Sequence, residues 1–219
     1  MLRTGLIAAF GEGRNDNPAG AHPASGGNDG AVPLANLTFR LLDGTQAAAH
    51  EPELRALHAE VFAEPPYRCT EDAAEFGRRF RVQRRQPGFA LAAARHGDYL
   101  VGYAAGTPLR PATSWWRHLT TPLADDITTE HPGRTFALTG LLVRAAWRQQ
   151  GIGRDLHDLI LTGRPEERAT LTVLPAAAAA QHAFRSWGWQ RVARTQPPSP
   201  GGAVSDVLVH ALPIGTYAS

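Results

Sequence analysis

The chain has 219 residues, 43% of them hydrophobic and 19% charged, which suits a folded domain with a sizeable core and excludes a largely disordered chain. A formal net charge of +2 gives no reason to expect nucleic acid as a partner. The single cysteine, Cys69, excludes an intrachain disulfide and has no zinc-ligand spacing around it, so no metal is expected.

Residues 1–35 read as a disordered tail. Gly11 to Gly30 is rich in Gly, Asn, Ala and Pro and has no apolar periodicity, so it cannot offset the entropy of ordering. It is either a flexible arm or the result of a start site set too far upstream. The apolar run Met1 to Phe10 is too short for a secretory leader, and nothing reaches the ~18 apolar residues of a membrane span. A soluble, cytoplasmic protein with no membrane partner is expected.

Residues 36–219 are expected to form a single domain. Leu37 to Leu42 is a β-rich run closed by the turn signal Asp43-Gly44. Leu54, Leu57, His58, Val61 and Phe62 recur at helical spacing, which predicts a helix over 52–62 that stops at Glu64-Pro65-Pro66-Tyr67. A second helix is expected over 71–86 with Thr70 as its N-cap. Its end carries Arg78, Arg79, Arg81, Arg84 and Arg85, read as a solvated face rather than a phosphate contact. All 22 Lys-plus-Arg positions are in fact arginine, which with the abundant Ala, Gly and Pro points to a GC-rich, bacterial genome.

Phe89 to Ala94 and Leu100 to Ala105 read as two strands joined by the turn Arg95-His96-Gly97-Asp98. Pro108 to Arg134 is a long irregular connection, a kind of segment that is often functional. Phe136 to Val143 is a buried strand, Gly151 to Leu161 a helix, Ala169 to Leu174 a strand, and Ala176 to Trp187 a helix capped by Gly188. Strands near Trp189 to Ala193 and Val204 to Leu212 complete a mixed α/β fold.

The segment Leu141-Leu142-Val143-Arg144-Ala145-Ala146-Trp147-Arg148-Gln149-Gln150-Gly151-Ile152-Gly153-Arg154 joins an apolar strand to an amphipathic helix. The first helical turn is expected to carry no acidic residue and no capping hydroxyl, which leaves its N–H groups available. Gly151 and Gly153 remove side chains where a ligand would approach the backbone, and Arg148 and Arg154 add charge; a pyrophosphate needs this arrangement. A Walker-type loop is excluded by the absence of lysine, and a dinucleotide fingerprint by Leu156 where a third Gly or Ala would stand.

Arg148-Gln149-Gln150-Gly151-Ile152-Gly153 resembles the Arg/Gln-x-x-Gly-x-Gly/Ala motif of the GNAT acetyltransferase superfamily, and the element order resembles that family from Leu37 to Leu212. Phe184-Arg185-Ser186-Trp187-Gly188-Trp189 is similar to the end of the family's next helix. The resemblance implies a GNAT-like fold: a mixed, mostly antiparallel sheet with one splayed parallel strand pair and helices on both faces. It implies acetyl-CoA as co-substrate, with its pantetheine arm between the strands at 136–143 and 169–174. The residues implied to hold it are Leu141, Leu142, Val143, Arg148, Gln149, Gln150, Gly151, Ile152, Gly153, Arg154 and Phe184. The implied reaction is direct attack of an amine on the thioester in a ternary complex, the acceptor most simply a small molecule.

Phe184 stands where many members have a tyrosine that protonates the leaving thiolate. Ala176 to Ala180 stands where many have an asparagine, and strand 136–143 has no acidic residue. Candidates for acid–base work are therefore Tyr67, His118, His131 and Thr139. Glu130, Asp125 and Asp126 are candidates for binding a cationic acceptor, and one of Trp115 and Trp116 for lining its pocket. Alternatives stay open: a non-catalytic acyl-CoA sensor, an enzyme acting on a protein or aminoacyl-tRNA amine, and a homodimer rather than a monomer.

Overall fold

The computed structural model describes residues 36–67, 73–196 and 203–214; the expected tail, the Thr70 cap and Cys69 lie outside them. Within them the order is β1 (Leu37–Leu42), α1 (Glu51–Phe62), α2 (Ala73–Gln83), β2 (Ala90–His96), β3 (Tyr99–Pro108), α3 (Asp125–Thr128), β4 (Thr135–Val143), α4 (Ile152–Leu161), β5 (Arg168–Val173), α5 (Ala178–Ser186), β6 (Gln190–Thr195) and β7 (Ser205–Ala211).

Seven strands form one sheet in the order β1-β2-β3-β4-β5-β7-β6. Every neighbouring pair is antiparallel except β4 and β5. β4 is buried at all nine positions, which explains its unbroken apolar run: a central strand covered on both faces has no polar side. A β-bulge shifts the β3–β4 register between Ala105 and Gly106. Gly106 permits the close approach there, since a Cβ would lie 2.5 Å from the Phe136 ring and 2.6 Å from the Ala137 carbonyl.

Helix α1 starts with Pro52 in its first turn, where a missing N–H costs nothing, and buries Leu54, Leu57, His58, Val61 and Phe62. Helix α2 packs against it through aromatic rings, His58 lying 4.5 Å from Phe76. Arg81 of α2 pairs with Glu51, and Arg84, just past the helix, reaches the Gly44 carbonyl at 3.4 Å, while Arg78 and Arg85 are exposed as the sequence suggests. Helix α4 lies across β1 to β4, with Leu156 set over Gly102. It begins later than the sequence suggests, at Ile152, because Gly151 is left-handed at φ 85° and acts as its N-cap. Asp155 therefore falls in the first turn, against the expectation of no acidic residue there.

Helix α5 ends as the sequence predicts. Gly188 is left-handed at φ 89°, and the Trp189 N–H returns 3.0 Å to the Phe184 carbonyl. The long connection before β4 contains only the short α3 and one isolated bridge, Leu119 to Thr195. It packs on the outer strands through Trp116, Ala193 and Val207.

Candidate functional site

Strand β4 has two unlike edges. Toward β3 it is paired from Phe136 to Val143. Toward β5 it is paired only at Thr135–Arg168, Phe136–Ala169 and Ala137–Thr170, after which the strands part. The Arg144 N–H donates to the Val101 carbonyl at 2.9 Å and so sets the phase of the β3–β4 ladder. Leu142 turns its amide and carbonyl to β3, whereas Leu141 and Val143 turn theirs toward the gap. These two residues are 0% and 1% exposed, so they present backbone polar groups to a covered space where β5 offers no ladder partner.

The gap opens toward the turn that follows β4. No hydrogen bond within the protein is made by the N–H groups of Gln150, Gly151, Ile152 and Gly153, among the described residues. The next two, of Arg154 and Asp155, bond to the Gly151 carbonyl at 2.8 and 3.1 Å. Gln149 is also left-handed, at φ 61°. Four consecutive free donors stand at the positive end of a ten-residue helix, an arrangement whose electrostatics favour negative charge. Nothing lies within 4 Å of the position a Gly151 Cβ would take, so the turn is open on that side.

The two arginines of this turn are braced rather than free. Arg148 donates from Nε to the Val143 carbonyl at 2.9 Å and pairs with Glu64 at 2.6 Å, while its Nη2 is buried with no partner. One of the two carbonyls facing the gap is thus already engaged. Arg154 pairs with Asp158 at 2.7 Å and lies 5.7 Å from the Trp187 ring centre. Asp158 in turn accepts from His157 at 2.7 Å, and the Trp189 indole N–H donates to the other His157 nitrogen at 2.9 Å. Burial holds the His157 imidazole below its ordinary range. Desolvation pushes the Asp155 carboxyl up, and the charge of Asp158 adds to the rise. Desolvation also works to raise Asp158, but the bonds from His157 and Arg154 bring it lower.

The remaining candidates separate. Tyr67 is buried edge-on to Phe62 at 5.3 Å, beside Arg148 and Glu64. Burial pushes its phenol up, Arg148 pulls it down and Glu64 adds to the rise, so it stays protonated. Thr139 donates to the Ala105 carbonyl at 3.2 Å and satisfies the bulge. Phe184 is 0% exposed and packs edge-on against Trp187 and Trp189. His118 is held at the outer strand β6, where its carbonyl accepts from Gln196. His131 is a surface residue 3.5 Å from Glu167. Both lie away from the gap.

Glu130 is a buried hub. Its Oε1 accepts from Trp116, Thr135 and Arg168 at 3.0, 2.9 and 3.0 Å, and its Oε2 is buried without a partner. Asp125 and Asp126 are exposed. Trp116 borders an open cavity of about 470 Å³ with Pro111, Leu119 and Leu123. Residues the sequence reading missed are Glu64, which braces Arg148 from 84 positions away, and Tyr103, whose ring lies over Gly140 of β4. Glu64 left no signal in the sequence; Tyr103 could have been found by pairing β3 with β4.

The sequence profile of the acetyltransferase (GNAT) family matches residues 51–189. No match was found among curated proteins. Solved structures are similar in fold. The Arabidopsis thaliana protein NAA60 in complex with acetyl-CoA has a TM-score of 0.57 at 17% identity, over 80% of this chain and 99% of that one. An acetyltransferase from Streptococcus agalactiae gives 0.58 at 14% identity, over 81% and 99%. The ribosomal-protein-S18-alanine N-acetyltransferase of Escherichia coli gives 0.52 at 16% identity, over 83% and 96%.

Proposed function

The chain belongs to the GNAT acetyltransferase family, and from that premise we propose that it moves an acetyl group from acetyl-CoA to the amine of a small molecule. The observation that carries this reading is the continuity of two features. The gap between β4 and β5 opens beyond Ala137, and four unpaired N–H groups stand at its mouth. A long thioester with an anionic head fits that geometry. Gln150 to Gly153 hold the pyrophosphate, and the Leu141 backbone and the Val143 N–H bond the amides of the arm.

Arg148 enters this reading as a brace. It keeps the end of α1 on the end of β4, and the arm meets a Val143 carbonyl already engaged. Arg154 stands at the first turn, where its charge favours an anion. The acceptor amine attacks the thioester directly, so the enzyme's contribution is positioning and proton transfer. No covalent intermediate on the protein is involved. A small acceptor is favoured because two of the five arginines at the end of α2, Arg81 and Arg84, are engaged with Glu51 and the Gly44 carbonyl, which leaves a short exposed basic patch of Arg78, Arg81 and Arg85 rather than a long cationic face.

The test is calorimetric titration of acetyl-CoA into the wild type and Gly151→Trp, followed by CoA release with a panel of amines, peptides and aminoacyl-tRNA. We expect micromolar binding, weakened about 100-fold or more in the variant because the indole fills the open side of the turn and strains a left-handed residue, a change of ~2.7 kcal/mol. A folded wild type that binds no acetyl-CoA would falsify the reading. Binding without turnover of any acceptor identifies a sensor instead.

A further inference from the structure

Departure of CoA leaves a thiolate that must take up a proton, and no hydroxyl stands at Phe184 to supply one. We propose that Tyr103 of β3 is the catalytic proton donor to that thiolate, an inference that rests on the acetyltransferase reading. Tyr103 is opposite Leu142 in the β3–β4 register. Its phenol runs diagonally across β4 and over Gly140: a Cβ at Gly140 would lie 3.3 Å from Tyr103 Cε2 and 3.8 Å from its hydroxyl oxygen. Diagonal neighbours on adjacent strands are within reach of aromatic side chains. The absence of a side chain at Gly140 is what lets the phenol lie there.

The position along the gap is the one the chemistry requires. Gly140 is three residues beyond Ala137, the last residue of β4 paired to β5. An arm that enters past Gln150 to Gly153 runs inward along Val143 and Leu141, and its reactive end stops where the strands close, beside Leu138 to Gly140. Tyr67 sits at the opposite end of the gap, with Glu64 and Arg148. The Thr139 hydroxyl is committed to the Ala105 carbonyl at 3.2 Å. Gly102 faces Leu156 of α4, so Tyr103, the next residue, points to the other face of the sheet, leaving the α4 side to its own packing. At 4% exposure Tyr103 is held within the packed sheet rather than at the surface, so its ring has a fixed position over Gly140.

The amine lone pair forms the N–C bond, and the tetrahedral adduct collapses with cleavage of C–S. The Tyr103 O–H bond breaks as S–H forms on CoA. The nitrogen's surplus proton passes to solvent, and the phenolate recovers one from solvent before the next turnover.

Tyr103→Phe tests this with the ring packing kept. We expect kcat to fall about 100-fold or more. The dissociation constant of acetyl-CoA and both Michaelis constants should stay within about twofold, since the hydroxyl acts in the transition state and not in binding. Gly140→Ala pushes on the ring without removing the hydroxyl and should lower kcat about 10-fold. A folded Tyr103→Phe enzyme with wild-type kcat, or one whose Michaelis constants rise while kcat holds, overturns the role of Tyr103 and leaves the acetyltransferase intact. A wild type that binds no acetyl-CoA, or acetylates no amine, overturns both.

Discussion

The connections that enter and leave β4 are both irregular, and they use their polar groups in opposite ways. The long entering connection, between Pro108 and Thr135, turns inward. Glu130 collects Trp116, Thr135 and Arg168, Arg134 bonds the carbonyls of Asp126 and Thr129, and Leu119 bridges to β6. The short leaving turn, from Arg144 to Gly151, ties down its side chains but leaves four backbone donors unpaired. The entering connection spends Glu130 Oε1 and the ends of the Arg134 guanidinium on its own frame, while Trp115 Nε1, Glu130 Oε2 and Arg134 Nε stay buried without a partner. The leaving turn keeps its unpaired donors on the backbone at a helix N-terminus, the arrangement on which the proposed anion contact rests. The Trp pair and the acidic residues made the long connection conspicuous in the sequence, but most of its chemistry is consumed internally.

That contrast can be broken by experiment. The largest effect is expected from Glu130→Ala. It strands the Arg168 guanidinium, which is largely buried, and empties a fully buried hub. The loss is about 3–5 kcal/mol of stability, read as a lower Tm, with acetyl-CoA affinity at 20 °C little changed in the folded fraction. A variant as stable as wild type would show that the entering connection is not held from this hub.

A pH titration comes next and probes the other side. His157 is held below its ordinary value of 6.5, so the folded state keeps it neutral. The unfolded chain therefore binds the proton first as pH falls. The stabilisation is complete above 6.5 and is lost progressively as pH drops through the lower folded value. Tm should fall between pH 7.5 and 5, and His157→Gln, which can still accept from Trp189 and donate to Asp158, should flatten that fall. An equally steep fall in the variant assigns the acid sensitivity to other groups. The smallest effect is expected from Asp125→Asn with Asp126→Asn. Both are exposed on α3, and the pair should change stability by under about 0.5 kcal/mol. A marked rise in the Michaelis constant of a cationic acceptor would instead return the entering connection to the active site.

Much of this was legible in the residues. The apolar run of β4, the glycine turn after it, the amphipathic α4 and the Gly188 cap follow from local rules about burial on two faces, positive φ and helical periodicity, and the family motif lies wholly within one contiguous stretch. Those rules act over a few residues, so one strand-turn-helix segment can carry them. What the fold alone decided is which groups are left over. Arg148, read as a pyrophosphate ligand, also binds Glu64, 84 residues earlier, and the Val143 carbonyl, partners that its own segment does not predict. Phe184, read as a wall of the cofactor slot, packs edge-on against Trp187 and Trp189. Tyr103 has no local signature, because its place over Gly140 depends on the register between two strands. Sequence determines which hydrogen-bonding groups exist and which local shapes they favour; whether a group is spent or available depends on distant partners that only the packed chain brings within reach.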